Sequence, residues 1–448
     1  MSILDVFRAR EVEPLPKGVY HYNDHSEFKG MRLHLRIEDE GAGILIVNAS
    51  RILYMNNTAT ELLKMMLDGK SKDEVIKTMT KRYKVKKEIV EKDFEEMKKT
   101  IKSFIEATDV DPETNMTEDA QGGMPAHLSA PFKACLALTY KCKNSCIFCG
   151  AKKRNVKELK VEDWKKIIDK LWNVGVPHII FTGGEPTEYE GLVELIEHAE
   201  KTGIITGLFT NGIKLKDNEY LKKLVDAGLD HFQIRLESHD EKIHNKIVGA
   251  ETFKDTIEGI KNAEKTPIFL MTTTTLVPEN VGDIEKTIEF IKSLGVKVFA
   301  CNAKIYDKKP KDANDGFEIK ELEPILKKIA EIASKNDMRF IWYSPTPYDK
   351  LNPKKLGLGK KQCGAANVLI AVEPDGTVLP CQTYPKPIGN LLTDGFYAIW
   401  NSQEAVRIRE RQFITDRCKK CGDLPTCGGG CPVLNDKGKF ICSESISA

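Results

Sequence analysis

What the sequence lacks is the first guide to what it is. No stretch approaches the roughly 18 uninterrupted apolar residues that a membrane-spanning helix needs. The opening Met-Ser-Ile-Leu-Asp-Val-Phe-Arg lacks the basic-then-apolar order of a secretory signal. Charge of one sign is not in excess: 68 Lys and Arg face 66 Asp and Glu, a net charge of +2. That balance provides no bulk pull toward nucleic acid or an anionic membrane surface. The nine histidines form no HExxH or close pair, so a histidine zinc site has no support. No short-period repeat is found. The expectation is a cytoplasmic protein with neither a nucleic-acid nor a membrane partner.

Cysteine, by contrast, is plentiful and unevenly placed. Of 12 cysteines, three fall between Cys142 and Cys149 and five between Cys418 and Cys442. In a reducing compartment such clusters read as metal ligands rather than disulfides. The 448 residues imply two to three domains of about 150 residues, and an apolar content of 41% is enough for real cores.

Residues 1–105 read as a small α+β, winged-helix-like domain. Met31, Leu33, Leu35 and Ile37 alternate with polar residues, as a half-buried strand should. Ile44–Val47 and Arg51–Met55 follow as strands two and three. Helical spacing over Thr58–Leu67 stops at Asp68-Gly69, Ser71 to Glu74 opens a second helix as a capping box, and a third spans about Glu88–Phe104. Residues 106–131 have linker composition.

Over 132–310 strand-like and helical segments alternate. The strands are Ala134–Leu138, His178–Thr182, Ile204–Phe209, His231–Leu236, Ile268–Thr274 and Val296–Cys301. Repeated strand-helix order predicts an α/β fold with a parallel sheet, a partial (β/α)6 barrel of the TIM type with its chemistry at the carboxyl ends of the strands. Residues 311–358 form a connecting helical segment. Over 359–448 regular patterning fades while Gly, Pro and Cys rise, as in a segment held together by metal.

Cys142-Lys-Asn-Ser-Cys146-Ile-Phe-Cys149 directly follows the first barrel strand. Three thiolates on one short loop suit three irons of a cubane cluster and leave the fourth open to a substrate or cofactor. The alternative is structural zinc, which usually wants a fourth ligand that is not nearby in sequence.

Cys142, Cys146 and Cys149, with the aromatic Phe148, resemble the Cys-x3-Cys-x-aromatic-Cys signature of the radical S-adenosylmethionine enzymes. Gly183-Gly184-Glu185-Pro186, just after the second strand, is similar to that family's Gly-Gly-Glu-Pro motif, which holds the methionine amino group of the cofactor. Asn211, within Thr210-Asn211-Gly212 after strand three, and Glu237 after strand four stand at the family's cofactor-contacting strand ends. Arg235 is a departure, since Ser usually stands there. It reads either as a ligand of the cofactor carboxylate or as a salt-bridged residue at a strand end. The resemblance covers about 133–306 and implies reductive cleavage of S-adenosylmethionine to a 5'-deoxyadenosyl radical.

The later cysteines resemble the seven-Cys SPASM extension of radical enzymes that modify peptides and proteins. By that resemblance Cys418, Cys421, Cys427 and Cys442 bind one cluster completely, while Cys363, Cys381 and Cys431 bind another with one iron open or held otherwise. Three [4Fe-4S] clusters result. Gly428, Gly429 and Gly430 would let the backbone wrap closely and offer N–H donors to sulfur. A zinc knuckle on Cys418 and Cys421 is the alternative. Cys135 and Cys301 fall in predicted strands and read as small core residues.

The first domain resembles the small peptide-binding domain of the pyrroloquinoline quinone pathway, PqqD-like, over about 31–104. Physically, an exposed third strand can accept an extended peptide by strand addition; packing that merely stabilises the barrel is the alternative. Together the resemblances imply a maturase that installs a thioether or carbon-carbon crosslink in a ribosomally made precursor peptide. The electron donor would be a ferredoxin or flavodoxin. Sulfatase-type protein maturation, tetrapyrrole side-chain modification and a non-catalytic electron carrier are the rival readings.

Overall fold

The computed structural model describes residues 12–23, 28, 31–48, 51–106, 128–149, 156–306, 316–384 and 386–435. Contacts divide the chain into two units, one running to Ser129 and including Asn173–Pro177, the other comprising Ala130–Trp172 and His178 onward.

In the first unit four antiparallel strands lie in sequence order, β1 (Gly18–Asn23), β2 (Arg32–Ile37), β3 (Gly43–Val47) and β4 (Arg51–Met55). Helices α1 (Asn57–Leu67), α2 (Lys72–Tyr83) and α3 (Lys87–Glu106) follow. The capping box at α2 is present: Glu74 N–H donates to Ser71 Oγ at 3.3 Å and Ser71 N–H to Glu74 Oε2 at 2.9 Å. Leu33, Leu35, Ile37, Leu45, Leu53 and Leu63 share one core.

Two expectations need correction here. The sheet has a strand, β1, ahead of the three predicted. In addition β2 is not half-buried, because His34 and Arg36 on its polar face are 3% and 1% exposed. Arg36 is tolerated inside because its Nε meets Glu38 Oε1 at 2.8 Å, so the buried charge has a partner. The predicted linker falls almost wholly outside the described residues.

The second unit is built on one long sheet. Its strands are β5 (Lys133–Thr139), β6 (His178–Gly183), β7 (Ile205–Thr210), β8 (His231–Arg235), β9 (Phe269–Leu276), β10 (Val298–Ala303), β13 (Arg339–Trp342), β14 (Leu369–Val372), β15 (Thr377–Leu379) and β16 (Gly389–Asn390). A separate short pair, β11 (Ile305–Tyr306) and β12 (Phe317–Glu318), lies outside it. The order is β13-β10-β9-β8-β7-β6-β5-β14-β15-β16, parallel from β13 to β14 and antiparallel thereafter. Crossover helices include α4 (Val161–Asn173), α5 (Leu192–Thr202), α6 (Asn218–Asp226), α7 (Glu241–Val248), α8 (Phe253–Glu264) and α9 (Ile284–Ser293). The central strands are buried along almost their whole length, as strands covered on both faces are.

The six predicted strands are consecutive neighbours in this sheet. Flanking them are two parallel strands the periodicity did not show: β13, preceded by α10 (Ile319–Lys335), against β10, and β14 against β5. The connecting segment 311–358, read as helical, thus also holds the strands β12 and β13 beside its helix α10. Helices α11 (Phe396–Trp400) and α12 (Gln403–Arg409) follow the β14–β16 meander. Among the described residues no helix is long and apolar enough to cross a membrane. Cys301 is fully buried in β10 and Cys135 half-buried in β5.

Candidate functional site

The cysteine loop leaves the carboxyl end of β5 and is docked on a helix end. The last carbonyls of α7 have no partner within the helix. Val248 O accepts the Ser145 N–H at 2.6 Å and Ile247 O the Ile147 N–H at 3.0 Å. Gly249, which ends the helix at φ +65°, makes this approach possible, since a Cβ there would lie 2.7 Å from the Ser145 carbonyl oxygen. Thr252 Oγ1 adds a hydrogen bond to Asn144 Oδ1 at 3.2 Å.

The next strand end is laid against the same loop. Gly184 N–H donates to Thr139 O at 2.7 Å and Glu185 N–H to Lys141 O at 2.8 Å. A Cβ on Gly183 (φ +136°) would sit 2.2 Å from Thr139 O, and one on Gly184 2.5 Å from Lys141 O. Only glycines allow two backbones so close. Glu185 is 2% exposed. Its carboxylate accepts from Thr187 N–H at 3.1 Å, Thr187 Oγ1 at 2.7 Å, Thr210 Oγ1 at 2.7 Å and Asn211 N–H at 2.8 Å. Burial pushes its pKa up and these donors oppose the shift. Glu185 therefore staples the end of β6 to the end of β7.

At the end of β8, Arg235 Nη1 donates to Thr275 Oγ1 at 2.8 Å and to Glu237 Oε1 at 3.2 Å. Its guanidinium stands 5.3 Å from the centre of the Phe148 ring. Burial pushes the Cys146 thiol up to about 12, Arg235 pulls it down, and Glu237, Cys149 and Cys142 push it further up. The three loop thiols are thus within electrostatic reach of one another.

These elements enclose a cavity of about 460 Å3. Of the predicted site residues Cys142, Cys146, Phe148, Cys149, Gly183, Gly184, Glu185, Asn211 and Arg235 line it. Pro186 and Glu237 do not; Pro186 is buried beneath the turn it opens, and Glu237, 0% exposed, stands behind Arg235 and accepts the Thr275 N–H at 2.7 Å. Residues that no motif signalled also line the cavity, among them Tyr140, Thr275, Asn302, Glu373, Gln382 and Thr383. Glu373, Gln382 and Thr383 come from the β14–β15 hairpin and the residues just after Cys381.

The later cysteines fall into two groups. Cys363 is pushed well up by burial and then by Cys431 and Cys381. Cys431 is pushed up to about 11 by burial and then by Cys381. Cys427 is raised by burial, with Cys418 adding to the shift and hydrogen bonds from the Tyr348 and Gly429 N–H groups opposing it. Gly428, Gly429 and Gly430 all have positive φ, at +68°, +82° and +77°. Cys421 stays beside Cys418 through its N–H to the Cys418 carbonyl at 3.0 Å. Cys442 lies outside the described residues.

The donor sets suit iron–sulfur clusters. The Cys142 and Cys149 thiols act electrostatically on Cys146, and those of Cys431 and Cys381 on Cys363, and the cysteine ligands of a cluster sit on separate irons. The thiol-only chemistry of the sets and the glycine-walled cavity beside the first are what such a cluster and a small cofactor need.

Comparison with known proteins agrees with this geometry. Residues 136–291 match the family model of the radical SAM superfamily, and residues 363–422 that of an iron-sulfur cluster-binding domain, SPASM. A PqqA peptide cyclase of Bradyrhizobium diazoefficiens is 26% identical over 318 residues, 67% of this chain and 81% of that protein. Another, of Rhodopseudomonas palustris, is 26% identical over 330 residues, 70% and 85% of the two chains. In fold the chain is similar to Streptococcus suis SuiB bound to precursor peptide SuiA, with a TM-score of 0.67 at 16% identity over 92% of this chain and 97% of that one. It is also similar to anSMEcpe with bound AdoMet, at a TM-score of 0.55 and 21% identity over 67% and 89% of the chains. The cofactors are accordingly S-adenosylmethionine and iron–sulfur clusters. This chain is a radical SAM enzyme whose barrel is followed by a SPASM-type cluster-binding domain.

Proposed function

We propose that the enzyme is a peptide maturase that installs a thioether or carbon-carbon crosslink in a ribosomally made precursor peptide. One observation carries this reading: the cavity lined by Cys142, Cys146 and Cys149 is also lined by Gln382 and Thr383, the two residues after Cys381. The segment that directly follows Cys381 thus reaches the space on which the radical-generating cysteines open. The likeness to PqqA peptide cyclases over two thirds of the chain supports a peptide substrate, as does the fold shared with SuiB in complex with SuiA.

In this reading Cys142, Cys146 and Cys149 hold three irons of the first cluster. When bound, that cluster and S-adenosylmethionine together supply a 5'-deoxyadenosyl radical by reductive cleavage. Gly183, Gly184 and Glu185 take the methionine amino group, Pro186 setting their turn, and Asn211 positions the cofactor from the end of β7. Arg235, the cation of the cavity lining, holds the carboxylate; Glu237 and Thr275 fix its direction, and Phe148 supports its face. Cys418, Cys421, Cys427 and Cys442 bind one auxiliary [4Fe-4S] cluster, and Cys363, Cys381 and Cys431 another, making three in all.

In the first, PqqD-like domain, the third strand expected to be exposed is β4, and its Ile52, Leu53, Tyr54 and Met55 are buried; the other edge strand, β1, is half-buried and paired, among the described residues, with β2 alone. An edge of this kind can take up a leader peptide through main-chain hydrogen bonds. Electrons come from a ferredoxin or flavodoxin, and the setting is the cytoplasm.

The test uses anaerobically reconstituted enzyme, dithionite, S-adenosylmethionine and, as candidate substrate, any short peptide found encoded beside its gene. The expected result is 5'-deoxyadenosine together with a peptide lighter by two hydrogens. An iron-loaded preparation that forms no 5'-deoxyadenosine would overturn the reading.

A further inference from the structure

Arg411 follows α12 in a conformation that arginine rarely adopts. Its φ is +55°, and Arg411 N–H to Ile408 O at 3.0 Å and Gln412 N–H to Arg407 O at 2.9 Å close the helix through it. Glycine is the usual residue at such a left-handed helix end. A side chain persists there only where its surroundings hold it, and such strain collects at functional positions.

The guanidinium is held on two segments at once. Nη1 donates to Leu424 O at 3.0 Å and Nη2 to Gln362 Oε1 at 2.9 Å. Gln362 in turn donates through Nε2 to Pro425 O. Gln362 immediately precedes Cys363, and Leu424–Cys427 is the helical turn that ends in Cys427. Arg411 thus ties the first cysteine of one auxiliary group to a cysteine of the other. Arg411, Cys363 and Gly428 also line one small cavity. Both Cys363 and Cys427 interact electrostatically with the guanidinium.

The geometry points to Arg411 as a positioning residue shared by the two auxiliary iron–sulfur sites, whose fixed positive charge favours the more reduced state of both. The inference rests on the reading of Cys363 and Cys427 as cluster ligands. Cluster potentials respond to net charge and to hydrogen bonding around the sulfurs. A guanidinium that keeps its charge at all working pH values is suited to the task. It makes the auxiliary sites better acceptors for the electron that radical crosslinking leaves over.

The test compares Arg411→Gln and Arg411→Lys with the parent protein, in a Cys142→Ala/Cys146→Ala/Cys149→Ala background that isolates the auxiliary signals. The readouts are anaerobic redox titration followed by electron paramagnetic resonance, and iron and sulfide content. At the parent midpoint Arg411→Gln is expected to lower the reduced-to-oxidised ratio about tenfold, equivalent to about 59 mV for a one-electron couple. Arg411→Lys should recover most of that shift at equal iron content. An unmoved midpoint in fully loaded Arg411→Gln overturns the inference. Loss of iron from both variants but not the parent does so too, because it makes Arg411 a brace and not a charge. A parent protein without auxiliary iron would instead refute the cluster assignment itself, and the inference with it.

Discussion

The Tyr140 hydroxyl donates a hydrogen bond to Glu373 Oε1 at 2.9 Å, joining residues 233 positions apart. Tyr140 stands between the end of β5 and Cys142, and Glu373 directly follows β14, so the bond links the cysteine loop to the hairpin that carries Cys381. Replacing Glu373 by Leu leaves the part-buried hydroxyl without this acceptor and should cost about 1–3 kcal/mol. Glu373→Gln retains an acceptor and should cost less. Urea denaturation of the reconstituted protein measures both, and equal midpoints for Leu and wild type would show that the bond contributes nothing.

The acid response should carry the mark of His244. Its Nδ1 accepts the Glu237 N–H at 3.3 Å, which requires an unprotonated nitrogen. Burial pushes the ring down to about 4, against about 6.5 in an unfolded chain. Between those values the unfolded chain binds a proton that the folded one does not. Stability therefore falls with decreasing pH through the window, by on the order of 1.4 kcal/mol per unit. His244→Gln should flatten this part of the slope. His21, His34 and His178, which burial also pushes down, remain in both proteins, so the difference in midpoints between pH 7 and pH 5 isolates His244. Identical slopes would rule out its contribution.

How much of this was legible beforehand depended on how local the information was. Cys142, Cys146 and Cys149 announce themselves because a cluster-binding loop is a matter of spacing within eight residues. Ser71 and Glu74 are equally plain, since a capping box is confined to one turn. The burial of His34 and Arg36 was hidden because alternation reports one face of a strand and says nothing of what covers the other. Arg339–Trp342 and Leu369–Val372 are only four residues each and become strands through their parallel neighbours β10 and β5. Glu373 reaches the cavity only through that second pairing, and no motif marks it. Glu237 was found by its place directly after β8, but its partners Arg235 and the Thr275 N–H were not, because Thr275 lies on another strand.

Gly249 offers a test of how tightly the cysteine loop is held. Gly249→Ala must overcome both the positive φ and a clash 2.7 Å from Ser145 O, so α7 and the loop have to part. Gly357 has a similar φ of +72° with nothing within 4 Å of its Cβ position. Gly357→Ala should cost only the conformational strain, roughly 1–2 kcal/mol, and leave the iron content unchanged. Gly249→Ala should cost more and lower iron retention after gel filtration. Equal iron in the two variants would mean that the docking of the loop on α7 is not needed for cluster binding.

The two groups of later cysteines make a quantitative prediction about metal removal. With three clusters of four irons, wild type should hold about twelve irons per chain and Cys142→Ala about eight. Cys363, Cys381 and Cys431 act on one another, and Cys427 acts with Cys418. Two substitutions within the first group, Cys363→Ala with Cys431→Ala, should therefore remove no more iron than either alone, about four atoms. Cys363→Ala with Cys427→Ala crosses the groups and should remove about eight. Anaerobic iron and sulfide analysis distinguishes these totals. Equal losses from the two double variants would show that the later cysteines serve a single site, and zinc without sulfide would replace the iron–sulfur assignment with a tetrahedral one.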